Sequence, residues 1–288
     1  MSVVWVAGEA LIDLVPREGS RTSVVGGGAA NTAKALAKLG IDTRFVGGIS
    51  NDEYGLAIRE ELNEVDLSLA HPSSLPTALA VVSLDESGSA SYEFKLEGTA
   101  SFDFNDSWLP VGTPDALHVG TLATVIEPGC NSLYRWASLL NVPIVYDPNI
   151  RPSVLGDREK YRKIVLQWAS ISKLVKLSEE DLRWLDYPNV SFLLDLGVEL
   201  VVLTKGDRGL TGFTRLSAVD VSATPVKVVD TVGAGDTVGA ILLEGVVKYG
   251  IKELVENRLF SVLSRAARAA AITCSRPGAK PPSLFELN

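Results

Sequence analysis

The chain of 288 residues is poor in cysteine and in histidine. Its two cysteines, Cys130 and Cys274, are far apart in sequence, so they give neither a disulfide framework nor a zinc-binding spacing. The two histidines, His71 and His118, give no metal-binding pair and are interpreted as structural. This composition is typical of a reducing compartment and predicts a cytoplasmic protein without a histidine or cysteine nucleophile.

Long uncharged runs and basic clusters are also missing. No uncharged run approaches the roughly 20 residues that a membrane span requires. Glu9 and Asp13 lie within the first apolar stretch, and no basic segment precedes it, which argues against a signal peptide. A formal net charge of −8 argues against nucleic acid as a partner.

What the sequence does contain is an alternation of strand-like and helical patterns, which favours a parallel sheet with helices on both faces. Strands are predicted at 3–7, 43–47, 116–119, 143–147, 174–177 and 199–204. Helices are predicted at 29–39, 54–63, 130–140, 161–170, 179–184 and 191–196, with a long final helix at about 251–274. No linker interrupts the pattern, so residues 1–288 are predicted to form a single domain.

One region departs from the alternation. Residues 78–84 and 90–94 are strand-like and are joined by a polar turn, which predicts a β-hairpin. Tyr92 and Phe94 have the same parity on its second strand, so they are expected to face the same side. This hairpin and a short polar segment at 16–23, between the first strand and the first helix, are expected to pair into a small antiparallel flap. The sequence alone leaves open an extension that has no role.

The most informative stretch is residues 230–237, with the sequence DTVGAGDT. The apolar runs at 225–229 and 238–247 around it predict a strand, a glycine turn and the start of a helix. Uncovered N–H groups and the partial positive charge of a helix N-terminus suit the turn to an anion. Asp236 opposes anion binding, which indicates a base beside a phosphate; a plain helix N-cap is the alternative.

Two better-known phosphate-binding loops do not fit this turn. It lacks the Gly-Lys-Ser/Thr of a P-loop. It also lacks the third glycine of a dinucleotide fingerprint, because Val238 takes that place, and the segment that follows is helical. A Rossmann dehydrogenase is therefore not supported.

Four other segments agree with this turn: 8–13 (GEALID), 26–31 (GGGAAN), 147–152 (DPNIRP) and 176–181 (KLSEED). Together they resemble the PfkB, or ribokinase-like, carbohydrate kinase family, and most closely its fructokinase branch. The resemblance extends along nearly the whole chain. It implies a three-layer α/β/α fold with a mostly parallel sheet, and a small β lid formed by about residues 14–25 and 72–106.

The resemblance also implies a set of site residues. Asp236 is the implied base, beside an anion-binding turn of Gly233, Ala234 and Gly235. The implied sugar contacts are Asp13, Gly26, Gly27, Asn31, Arg151 and Phe94. Carboxylate and amide groups suit sugar hydroxyls, and a guanidinium braced between two prolines suits a phosphate or a sugar oxygen. A flexible glycine turn and a surface ion pair are the alternatives for these segments.

For the nucleotide, the implied contacts are Lys176, Ser178, Thr204, Gly206, Gly209 and Gly278. ATP and Mg²⁺ are the implied cofactors, and a requirement for a monovalent cation such as K⁺ is left open. Many relatives carry Asn-x-x-Glu at 178–181, where this chain ends on the shorter Asp181. Metal binding by Asp181 is therefore an expectation that this departure puts in doubt.

The sequence thus predicts an ATP-dependent sugar kinase that phosphorylates a primary hydroxyl group, with fructose as its preferred substrate. A kinase for another ketose or for a 2-keto-3-deoxy sugar acid is the alternative within the enzyme class. An inactive sugar-binding regulator is the alternative outside it, and the presence of Asp236 with both glycines opposes that reading. The resemblance further implies a homodimer that forms through the lid.

Overall fold

The computed structural model describes residues 2–17, 20–84 and 90–288 of the chain. The strands are, in chain order, β1 (Val3–Ala7), β2 (Leu11–Arg17), β3 (Ser20–Gly26), β4 (Asp42–Val46), β5 (Gly48–Ser50), β6 (His71–Ser73), β7 (Leu79–Leu84), β8 (Ala90–Lys95), β9 (Ala116–Gly120), β10 (Ile144–Asp147), β11 (Leu174–Ser178), β12 (Leu200–Thr204), β13 (Leu210–Phe213) and β14 (Ala218–Val221). The helices are α1 (Gly28–Lys38), α2 (Glu53–Glu61), α3 (Gly129–Leu139), α4 (Arg158–Ala169), α5 (Glu179–Trp184), α6 (Ser191–Asp195), α7 (Ala234–Glu253), α8 (Leu259–Cys274) and α9 (Leu284–Leu287).

Eight strands form the main sheet, in the order β14-β13-β12-β11-β10-β9-β1-β4. From β4 to β12 neighbouring strands pair in parallel, and β13 and β14 add an antiparallel edge. A parallel pair needs a crossover connection, and these crossovers bring helices onto both faces of the sheet. The result is the mostly parallel, three-layer α/β/α arrangement that the sequence predicts.

The core divides into two apolar clusters, one on each face of the main sheet. In β1, Val4 and Val6 belong to one cluster, while Trp5 belongs to the other, as the period of two in a strand requires. The first cluster includes side chains of α1, α7 and α8, and the second includes side chains of α3, α4 and α6. Both faces of β1 are therefore covered, which fits its continuous apolar sequence.

A second sheet, which we call the lid sheet, has four strands in the order β3-β2-β7-β8. The pairs β2–β3 and β7–β8 are antiparallel hairpins, so the polar segment at 16–23 and the predicted hairpin both contribute strands to this sheet. The central pair β2–β7 is parallel, whereas the sequence predicts that the two segments pair into an antiparallel flap. The difference arises because two separate hairpins meet side by side, with no short turn joining β2 to β7.

Two predictions for the second half need correction. Residues 225–229, predicted as a strand, are described and lie outside the strands, with Val228 59% exposed. An apolar, β-branched composition favours a strand only where a neighbouring strand can pair with it. The final helix is also interrupted, because a π-helical turn at Leu254–Arg258 separates α7 from α8, and Gly250 kinks α7.

Candidate active site

A cavity of about 720 Å³ lies at the carboxyl ends of the parallel strands, under the lid sheet. Open α/β sheets bind ligands at this edge. The residues that follow β1, β9 and β10 contribute Glu9, Thr121 and Asn149, and β11 contributes Lys176. The N-terminus of α7 contributes Asp236. The topology thus gathers polar side chains from distant parts of the sequence into one site.

One face of the lid sheet lines this cavity. Asp13 is paired in register with Val24 on one side and with Ala80 on the other, and Ala80 is paired with Phe94. These residues all line the cavity, as do Leu11, Val15, Thr22 and Val82. The side chain of Tyr92, predicted to share the face of Phe94, lies outside the described part of the structure.

The glycine turn has the conformation that an anion site requires. Gly233 has φ 77°, in the left-handed region that favours glycine, and α7 begins at the next residue. Asp230 fixes the turn, because its carboxylate accepts hydrogen bonds from the N–H of Val232 (3.0 Å) and of Gly278 (2.8 Å). The loop that contains Gly278 is thereby tied to the turn, and both line the cavity.

Asp236 occupies the first turn of α7 and is 8% exposed. Its Oδ2 accepts a hydrogen bond from Asn31 Nδ2 at 2.8 Å. Burial raises the pKa of Asp236, while the Asn31 bond and the positive charges of Lys176 and Arg151 act in the opposite direction. A buried carboxylate with a raised pKa beside an anion-binding turn is suited to accept a proton from a reacting hydroxyl group.

Asp13 lies in β2 of the lid sheet and lines the same cavity. Its carboxylate packs directly against Gly26, where a side chain would collide with it. Burial raises the pKa of Asp13 to about 6, although the charge of Arg151 opposes the shift. Gly26 itself does not line the cavity, so its contribution is the space that it leaves for Asp13.

Arg151 follows β10 and lines the cavity. Its Nη1 donates to Asn149 Oδ1 at 2.8 Å and to the Ile150 carbonyl at 3.1 Å, while its backbone N–H donates to the Tyr161 hydroxyl at 3.2 Å. The guanidinium is therefore positioned by its own loop, with no carboxylate ion-paired to it among the described residues. A cation held in this way can receive a polar ligand.

The residues predicted around the nucleotide are not all brought together. Lys176 and Gly278 line the cavity, while Ser178, Thr204, Gly206 and Gly209 lie further along the same edge, at the ends of β11 and β12. Ser178 and Thr204 are paired in register. Ala234 does not line the cavity, and its N–H donates to the Thr231 carbonyl at 3.3 Å.

Asp181 lies outside the cavity and its oxygens already have protein partners. Oδ1 accepts from the Ile150 N–H, and Oδ2 accepts from the N–H and hydroxyl of Ser178, which completes a capping box at the start of α5. Across the described residues, no group of three or more acidic, histidine or cysteine side chains is arranged to hold a metal ion. Both oxygens of Asp181 thus accept hydrogen bonds from the protein, and a metal role for Asp181 stays a prediction.

Glu9 is a site residue that sequence reasoning missed. Its carboxylate is 1% exposed and accepts hydrogen bonds from the N–H of Gly28 (3.0 Å) and Ala123 (3.2 Å) and from the Thr121 hydroxyl. It thus joins the start of α1 to the segment after β9. The available signal was a lone carboxylate between two apolar strands, because such a charge is rarely buried unless it has partners.

Burial raises the pKa of Glu9 from 4.5 to about 7, so the folded protein holds a proton that the unfolded chain releases between these values. We expect its contribution to stability to be complete below pH 4.5 and to be lost as the pH rises to about 7. In urea titrations, the Glu9→Gln variant should gain stability relative to the parent across this window, by about 1.4 kcal/mol per unit of pKa difference. A stability difference between Glu9→Gln and the parent that does not change with pH would contradict the raised pKa of Glu9.

The fold and the cavity are those of an α/β protein that binds a small polar molecule at the carboxyl edge of its sheet. The profile of the pfkB family of carbohydrate kinases matches residues 1–284, and the chain belongs to that family. A fructokinase of Rhizobium leguminosarum bv. trifolii is 37% identical over 260 residues, covering 84% of this chain and 78% of the relative.

Two solved structures agree with this assignment. A fructokinase from Vibrio cholerae O395, bound to fructose, ADP and a calcium ion, has a TM-score of 0.85 and 28% identity, and covers 97% of this chain and 94% of its own. A double mutant from that organism, bound to fructose, ADP and a potassium ion, has a TM-score of 0.84 and 27% identity, with the same coverage of each chain. The predicted family, fold and enzyme class are confirmed. No helix among the described residues is long and apolar enough to cross a membrane.

Proposed function

We propose that the protein transfers the γ-phosphoryl group of ATP to a primary hydroxyl group of fructose. The observation that carries the proposal is that one cavity contains both Asp236, at an anion-binding turn, and Asp13, on the wall formed by the lid sheet. This arrangement suits a substrate with several hydroxyl groups on one side and a phosphate on the other. The fructokinase relatives supply the choice of sugar.

In the proposed reaction, Asp236 takes the proton of the attacking hydroxyl while Asn31 holds the carboxylate in place. Free N–H groups of the turn and the dipole of α7 stabilise negative charge on the transferred group. Asp13 accepts hydrogen bonds from other sugar hydroxyls, and Arg151 lies where it can bind an oxygen of either substrate. Positioning and charge stabilisation are what phosphoryl transfer chiefly needs from a protein.

We place Mg²⁺ with the nucleotide, as MgATP, because Mg²⁺ is commonly held by phosphate oxygens together with only one or two carboxylates. That choice fits a site without a carboxylate cluster among the described residues. A requirement for a monovalent cation such as K⁺ remains a prediction. We also infer a cytoplasmic location from the low cysteine content.

The test is ADP release with MgATP and a panel of acceptors: fructose, glucose, ribose, adenosine and a 2-keto-3-deoxy sugar acid. Fructose should give the highest kcat/KM, and ADP release without a sugar should be slow. A higher kcat/KM for the sugar acid would favour the alternative in which Arg151 binds a carboxylate. Fructose binding without ADP release from any acceptor would indicate the non-enzymatic regulator.

We further propose that the lid sheet covers the sugar and contributes to a homodimer. Apart from Asp13 and Thr22, its cavity face is apolar, and it is partly exposed, with Val15 37% and Val24 41% exposed. A thin sheet has no core of its own in which to bury such side chains. A second copy of the chain, or closure over the sugar, would remove this surface from water.

Replacing Phe94 by serine should raise the KM for fructose several-fold and weaken the dimer, because the apolar contact on the cavity side is lost. Steady-state kinetics and sedimentation measure the two effects separately. Lys95→Ser is the matched control, since Lys95 is the next residue of β8 and does not line the cavity. Unchanged sugar kinetics together with an unchanged sedimentation coefficient would remove both roles from this face.

A further inference from the structure

A buried ion pair lies beneath the glycine turn. Lys176 Nζ and Asp147 Oδ2 are 2.8 Å apart, and their side chains are only 6% and 3% exposed. They come from the adjacent strands β11 and β10, close to the ends that form the cavity. A buried pair of this kind adds little stability by itself, because desolvation offsets most of the attraction. Stability alone therefore does not explain why this ion pair lies beside the cavity, which indicates a function in the site.

The ammonium group lies against the first turn of α7. A methyl group built on Gly235 would be 3.2 Å from Lys176 Nζ, and Gly235 directly precedes Asp236. A cation at a helix N-terminus is unfavourable, since that end of the helix already carries partial positive charge. The charge persists there because anions surround it: Asp147 in direct contact, and Asp236 and Asp181 further away.

Only one carboxylate oxygen of Asp147, Oδ2, contacts Lys176. Its Oδ1 is buried and has no hydrogen-bond partner within the described part of the chain. His118 of β9 is also buried, and burial together with the charge of Lys176 lowers its pKa to about 3, so this imidazole is neutral. Lys176 is thus the cation of this cluster, and one carboxylate holds it in position.

We propose that Asp147 and Lys176 form a positioning pair, in which Asp147 holds the ammonium group against the first turn of α7 and the ammonium serves as the counter-charge of the Asp236 base. The inference deepens the proposed kinase function and rests on the role of Asp236 in it. The resemblance predicts Lys176 only as a contact of the nucleotide. Here it acts on the base, whether or not a nucleotide is bound.

Other groups also face Asp236 and have to be kept constant in a test. Arg151, from the segment after β10, adds a second positive charge, and Asn31 of α1 donates a hydrogen bond. Glu9 and Asp13 line the same cavity as anions or neutral acids, according to pH. None of these is altered by substitutions at 147 or 176. Burial raises the pKa of Asp147 itself to about 6, so Asp147→Asn also removes this titration, and Asp236 has to be followed directly.

The pair predicts shifts of opposite sign in the pH dependence of kcat, which reports groups of the enzyme–substrate complex. Lys176→Met removes the counter-charge, so the acid limb should move to higher pH by about one unit or more. In Asp147→Asn the amide oxygen can still accept a hydrogen bond from the ammonium but no longer neutralises it. The ammonium then stays beside Asp236 with its charge uncompensated, so the acid limb should move to lower pH. Lys173→Met is the matched control, because Lys173 forms an exposed ion pair with Glu199 and should leave the limb unchanged.

A titration without substrate separates this inference from the proposed function. The carboxyl carbon of Asp236, followed by ¹³C NMR and assigned by its absence in Asp236→Asn, should show the same opposite shifts in the two variants. Asp147→Asn nearly preserves the shape of the side chain. If Lys176→Met does not fold, the shift in Asp147→Asn alone tests the positioning role. An Asp236 titration that coincides with that of the parent in the folded variants would overturn the positioning role, even if fructose is phosphorylated. Failure of every sugar to react, with the NMR shifts present, would instead reject the kinase proposal.

Discussion

Replacing Asp236 by asparagine should lower kcat by about 10²- to 10⁴-fold or more, the range typical for loss of a general base. Asparagine preserves the shape of the side chain and can still bond to Asn31, but it cannot accept the proton of the sugar hydroxyl. Binding of MgATP should change little, because the N–H groups of the turn remain. Pre-steady-state measurement of ADP formation, with both substrates saturating, gives the effect on the chemical step.

Asp195→Asn makes the same chemical change at an exposed position on α6 and is the matched control. It should retain the kcat of the parent. If Asp236→Asn also retained near-native kcat, Asp236 would be removed from the proposed mechanism.

Replacing Asp13 by alanine should weaken fructose binding by about 1.5–3 kcal/mol, or tenfold to over a hundredfold, because a charged hydrogen-bond acceptor is lost. Nucleotide binding should remain nearly intact, since Asp13 belongs to the lid sheet and not to the glycine turn. Calorimetric titration with fructose and, separately, with MgATP measures the two affinities. Equal losses in both would indicate that Asp13 has a structural role.

The pKa of about 6 gives a second test of the same residue. Protonation removes the negative charge of Asp13 and turns one acceptor oxygen into a donor, so fructose affinity in the parent should fall as the pH drops through about 6. Asp13→Asn keeps the shape but does not titrate there, and its affinity should lack this pH dependence. A fall of equal size in both proteins would assign the titration to another group.

Most of the main sheet could be predicted because buried parallel strands have a strong local pattern. The stretch 174–177, for example, is bounded by polar residues and was predicted within one residue of β11. The segment 225–229 has a similar composition but pairs with no strand in the described part of the chain, and pairing is a property that local sequence does not contain. The parallel junction between β2 and β7 was missed for the same reason, since it depends on how two distant hairpins meet.

In the site, too, local motifs could be predicted from the sequence, whereas contacts between distant segments could not. Asp236, Asn31 and Asp13 were predicted from motifs, and the structure places all three on one cavity. The ion pair between Asp147 and Lys176 was not predicted, because it depends on the register of β10 and β11. Glu9 was missed as a site residue because its three partners come from segments about 20 and about 110 residues away in the chain. Contacts between residues so far apart in the sequence can be identified only once the fold is known.

The most direct test of the central claim is a crystal structure of the Asp236→Asn variant with fructose and a non-hydrolysable MgATP analogue. We expect a primary hydroxyl oxygen of fructose to lie within about 3.2 Å of the side chain of residue 236. Asp13 should accept hydrogen bonds from other hydroxyl groups, and the terminal phosphate should contact the N-terminus of α7. Fructose bound outside this cavity, or oriented with no primary hydroxyl group toward residue 236, would contradict the proposed function.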